Sequence, residues 1–166
     1  MSFVCPSIRT KMARKRVGDA MSETPAKHHN GSMSRWKEFN NNPTQRRVGD
    51  CAVRAVSVAL DTDWETAYDL IADAGYQMGD MPSSDSVFGA VLRQNGFYRA
   101  IIPNTCPICY TAADFARDNP IGIFVLGFGG HVATIKNGLL YDSWDSSEEI
   151  PVYVWYEKKH PPFMDA

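Results

Sequence analysis

The stretch His131-Val132-Ala133-Thr134-Ile135-Lys136-Asn137-Gly138-Leu139-Leu140-Tyr141-Asp142-Ser143-Trp144 decides the fold. Two runs rich in β-branched, aliphatic and aromatic residues flank Asn-Gly, the pair that two-residue hairpin turns favour because both central positions need positive φ. Such a turn pairs Lys136 with Leu139 and sets His131 opposite Trp144. Side chains alternate along a strand, so His131, Asp142 and Trp144 share one face, with His131 and Asp142 diagonal neighbours. Ser143 and Asp145 point the other way. Asp142, rather than Asp145, is thereby nominated to orient the imidazole and stabilise its charged form, with Trp144 covering the pair. Gly129-Gly130, just before the histidine, allows close backbone approach.

Outward from this hairpin, strand character recurs at residues 97–102, 121–126 and 152–156. Thr111 is placed to cap a short helix over 112–118 that Asn119-Pro120 ends. The first half of the chain is helical instead. From Cys51, Val53, Val56 and Leu60 recur at helical spacing among alanines as far as Asp61, the pattern of a buried helix. Thr62-Asp63-Trp64-Glu65 opens a second helix, which Gly75 is expected to close. Ser84-Asp85 opens a third, with Val87, Phe88, Val91 and Leu92 on one face and Gly96 after it. Helices followed by strands imply an α+β fold with an antiparallel sheet.

Chemistry enters with Gln45-Arg46-Arg47-Val48-Gly49-Asp50-Cys51, a polar loop running into the first helix. A cysteine at a helix start and a histidine at a strand mouth eighty residues later are the parts of an activated thiol. The helix N-terminus favours the thiolate and the imidazole takes its proton. The competing motif is Cys106-Pro107-Ile108-Cys109, a Cys-x-x-Cys placed as in thioredoxin-like redox proteins. Three helices precede it, which does not suit that fold. A zinc site needs two further ligands, and Cys5, His28, His29 and His160 lack partner spacing. No metal and no cofactor are expected.

Composition is that of an ordinary globular chain: 166 residues, 44% hydrophobic, net charge −2. One domain with a real core is expected over 35–158, after a basic extension at 1–34 and before a tail at 159–166. Residues 1–47 carry a net charge of +7 and residues 48–166 carry −9. A basic arm of this kind suits a solvated extension better than a nucleic-acid site, since no aromatic residue is interleaved through Arg9 to Arg16. The acidic run Asp142 to Glu149 is read mostly as a solvated connection, with a taste for basic substrates near the site as the alternative. No apolar run is long enough to span a membrane and no signal-peptide core is present, so a cytoplasmic protein or a host-delivered effector is expected.

Taken together, these motifs resemble the papain-like cysteine peptidase superfamily, closest to the double-glycine leader peptidases and their stand-alone bacterial and phage relatives. Gln45 stands six positions before Cys51, the family spacing of oxyanion-hole glutamine and nucleophile. Residues 111–136 are similar to the family's histidine region, and Tyr141-Asp142-Ser143-Trp144 looks like its Asn-Ser-Trp motif with Asp for Asn. The resemblance covers roughly residues 45–156, in the order Gln, Cys, His, Asp. It implies a papain-like fold, with the nucleophile on a central helix packed on the sheet. It also implies a catalytic set of Cys51, His131, Asp142 and Gln45, with Trp144, Gly129 and Gly130 near a peptide or protein substrate. Two features depart from it: Ala52 replaces the usual Gly after the nucleophile, where it would crowd the oxyanion hole, and the papain-type Cys-x-x-Cys-Trp is absent. Two other functions remain open: a catalytically idle papain-like domain that binds peptide, and a redox or zinc protein using Cys106 and Cys109.

Overall fold

The computed structural model describes residues 35–103 and 109–162. The basic extension, with Cys5, His28 and His29, and also Cys106, lie outside them. The elements run β1 (Trp36–Glu38), α1 (Cys51–Leu60), α2 (Trp64–Met78), α3 (Asp85–Gln94), β2 (Phe97–Ile101), α4 (Ala112–Asp118), β3 (Ile123–Gly127), β4 (Val132–Lys136), β5 (Leu139–Asp142) and β6 (Tyr153–Glu157). The six strands form one sheet in the order β1-β5-β4-β3-β6-β2. This is an α+β fold.

Strand alternation divides the apolar residues between two cores. On one face, Val125, Val132, Tyr153 and Trp155 pack against α1, α2 and α3. On the other, Phe124, Leu126, Ala133, Ile135, Leu140 and Val154 meet α4 through Ala112, Phe115 and Ala116. Helix α1, buried almost throughout, is tied to the sheet where the Thr134 hydroxyl donates to the Ala55 carbonyl at 2.8 Å.

The hairpin register follows the turn. Lys136 pairs with Leu139, Ile135 with Leu140 and Thr134 with Tyr141, and Asn137 and Gly138 take φ of 52° and 72°. Thr111 caps α4 in a reciprocal box with Asp114, and Asp63 caps α2 by accepting from the Thr66 N–H at 2.7 Å.

Three expectations are corrected. The sheet is mixed, because β1 runs parallel to β5, pairing Glu38 with Asp142. Helix α2 passes through Gly75 and is closed by Gly79 at φ 65°. Gly75 serves a close approach, since a Cβ there would lie 2.9 Å from the Asp80 carbonyl oxygen. Finally, β5 ends at Asp142, so Ser143 and Trp144 lie beyond the strand and its alternation.

Gly89 reports on the seating of α3. A Cβ at this position would sit 2.6 Å from the Trp155 ring, which is itself almost wholly buried. Ala normally favours a helix over Gly by ~1 kcal/mol. Gly89→Ala should instead destabilise the fold by about 1–3 kcal/mol through overpacking, read as a lower urea midpoint with an unchanged slope.

Candidate active site

The loop before α1 is held from beneath by a carboxylate. Asp50 is buried and its Oδ1 is ion-paired with Arg54 one turn along the helix. Its Oδ2 accepts from the Asn42 side-chain amide and the Trp64 indole N–H, both at 2.9 Å. An Asp at this position commonly caps its helix. Here the carboxylate turns inward and makes no capping bond. The first N–H groups of α1, beginning with that of Cys51, therefore remain available to an anion at the helix start.

His131 precedes β4 by one residue and stands at the end of the sheet, where the start of α1 meets it. Its Nε2 lies 2.6 Å from Asp142 Oδ2. The other ring nitrogen is left for Cys51, to whose thiol His131 is hydrogen-bonded. The imidazole lies between Phe128, with ring centroids 5.8 Å apart, and Trp144, at 5.3 Å. Asp142 is held more tightly than a strand-end carboxylate needs to be. Oδ2 also accepts from the Ser146 hydroxyl at 2.6 Å, and Oδ1 from the Ser143 N–H at 2.7 Å. Its carbonyl accepts from the Phe39 N–H and the Trp36 indole, which is the task of β1. Asp145 binds only the Ser147 N–H among the described residues.

The electrostatics follow. Burial pushes the Cys51 thiol up, but hydrogen bonds from His131 and the Val132 N–H, together with the charges of His131 and Arg54, outweigh it and bring the pKa below that of an ordinary thiol. Burial also opposes charge on His131. Its bonds to Asp142 and Cys51 prevail and raise it to about 9. Both shifts favour thiolate and imidazolium over the neutral pair.

A cleft of about 500 Å³ opens over the thiol, with Cys51, His131, Gly130, Ser143 and Trp144 in its wall. Cys51, His131 and Asp142 are thus brought together. Trp144 is 45% exposed and forms a lip beside the imidazole. Gly129 is not part of the wall. Gln45 is not brought to the thiol either: it has φ 54°, and its amide donates to the carbonyls of Asn40 at 3.2 Å and Asn42 at 2.8 Å. Asn40 lines the cleft in its stead. Its Oδ1 accepts from the Asn42 N–H, and its amide N–H groups have no partner among the described residues. Ala52 is buried in the α1 core and stays clear of the cleft, so the expected crowding does not arise. Sequence reasoning missed Asn40 and Arg54; the Asp50–Arg54 spacing of four was a legible signal for the latter.

Cys109 is disulfide-bonded, and no group of three or more potential metal ligands exists among the described residues. No described helix is long and apolar enough to cross a membrane. No family model, no curated protein and no solved structure matches this chain.

Alkylation of Cys51 should rise with pH through a midpoint lower than that of an unperturbed thiol. In His131→Ala that residue's bond and charge are lost while burial remains, so the midpoint should move up from its position in the native protein. Mass spectrometry of the modified peptide across a pH series reads both.

Proposed function

We propose that this protein is a papain-like cysteine peptidase or a related acyl-transfer hydrolase acting on peptide or amide bonds. The observation that carries the proposal is the chain of contacts from Asp142 through His131 to Cys51 at the start of a buried helix, opening into a cleft. Each link has a chemical task. Asp142 holds the ring with Nε2 toward itself, so the other nitrogen faces the thiol. The lowered thiol pKa and the raised imidazole pKa both favour the ion pair, the form in which sulfur is nucleophilic.

In the first half-reaction the Cys51 thiolate attacks the substrate carbonyl carbon, forming a C–S bond and an oxyanion. His131 then gives its proton to the leaving amine as the C–N bond breaks, and an acyl-thioester remains. In the second half, neutral His131 takes a proton from water, which attacks the thioester. The thiolate leaves and the acid product departs. The Cys51 N–H at the helix start is one donor for the oxyanion. Asn40 supplies the second, because its amide is free and in the cleft wall, whereas both N–H groups of Gln45 are directed to backbone carbonyls.

A peptide-like electrophile should label Cys51 and no other described cysteine, and Cys51→Ala should abolish turnover of any peptide or amide substrate that a library screen yields. Asn40→Ala should lower kcat by ~10²–10³. Gln45→Ala should act mainly on stability, as lost anchoring of the 40–45 loop. Labelling of Cys51 with no acyl transfer to water or amine from any library member would leave a peptide-binding domain as the function.

A further inference from the structure

The cleft over Cys51 is lined by three arginines, Arg46, Arg47 and Arg54, and by no carboxylate among the described residues. This contrasts with a chain whose net charge is −2 and whose residues 48–166 carry −9. Arg46 and Arg47, in the loop that leads into α1, are exposed and make no ion pair or hydrogen bond among the described residues. Arg54 is different. It is 7% exposed, its Nη1 is committed to Asp50, and its buried Nε has no hydrogen-bond partner among the described residues. Native structures seldom leave a buried charged donor unpaired unless something outside the fold satisfies it. Arg54 lines the cleft one turn from Cys51, close enough that its charge helps lower the Cys51 pKa.

We infer that the cleft beside Cys51 binds the carboxylate of an acidic peptide substrate, with Arg54 as the buried anchor and Arg46 and Arg47 as the rim that draws it in. The inference rests on the acyl-transfer function proposed above and names its substrate class. Planar guanidiniums match carboxylate geometry with paired N–H donors. Two exposed charges at the mouth raise the local concentration of an anion and speed its arrival. The acidic run that suggested basic substrates does not contradict this, because Asp145, Glu148 and Glu149 are not part of the wall and Asp145 turns back on the Ser147 N–H.

The test begins with two small alkylating agents that differ in charge, iodoacetate and iodoacetamide. Their rate ratio at Cys51 cancels the thiolate fraction and reads the cleft's preference for an anion. The double variant Arg46→Glu/Arg47→Glu alters only exposed side chains and leaves the Asp50–Arg54 pair intact. The ratio should fall by about tenfold in this variant at low ionic strength, and the difference should shrink in salt. An equal ratio in both proteins overturns the inference.

The second arm is hydrolysis of peptide libraries with Asp/Glu, neutral or Lys/Arg residues flanking the scissile bond, each with a free or an amidated C-terminus. Higher kcat/KM for acidic side chains, or for the free C-terminus, supports the inference and identifies which carboxylate is bound. Turnover that favours Lys/Arg or ignores charge overturns it and leaves the peptidase function standing. A charge-dependent alkylation ratio without any turnover sinks the peptidase function but keeps the anion site.

Discussion

A carboxylate buried one residue before Cys51 is the constraint on which the rest of the site depends. Asp50 is acceptable in the interior only because Arg54 neutralises it and two further N–H groups complete its hydrogen bonds. Removing one member of such a buried pair typically costs about 3–5 kcal/mol. The three donors come from the 40–49 loop, from α1 and from the start of α2. One side chain thereby fixes where the loop ends, where the helix begins and how the second helix leans on the first. The direction of the thiol follows from that arrangement. So does the open helix start, because Asp50 cannot both hold Arg54 and cap α1.

The opposite wall is built on the same logic with different parts. Asp142 ends β5, and a chain end in a sheet is normally loose. Here β1 runs alongside and takes hold of the Asp142 carbonyl, while Ser143 and Ser146 occupy its carboxylate. The imidazole is then confined between Phe128 and Trp144. Burial opposes the charged form of each group in the pair, and mutual hydrogen bonding overcomes it in both. Thiolate and imidazolium therefore depend on each other.

Much of this was legible in the sequence, where local chemistry is decisive. Asn137-Gly138 has few ways to turn, so the register, and with it the His131–Asp142 pairing, followed from two residues. The Thr111 cap and the Pro120 stop bounded α4 in the same way. What escaped notice depends on tertiary partners. Trp36-Lys37-Glu38 has no strand pattern of its own and becomes β1 only because β5 offers an edge. Gly75 and Gly79 are equal candidates for ending α2 until the approach of Asp80 is known. The six-residue spacing of Gln45 from Cys51 says nothing of its rotamer, and its amide turns to the backbone. Arg54 lies hidden in an otherwise alanine- and valine-rich helix, where its value comes from Asp50 one turn back.

The parts of the site come from distant stretches of chain. Cys51 is made eighty residues before His131, and their meeting requires α1 to lie across a hairpin near the end of the fold. Contacts of such sequence separation form late, after shorter-range structure is in place. During synthesis Cys51 is therefore an ordinary thiol, and its pairing with His131 comes into being only with the finished sheet. The converse also holds: β4 is paired on both sides and tied to α1 through Thr134, so the thiol returns to ordinary reactivity only when the sheet itself opens.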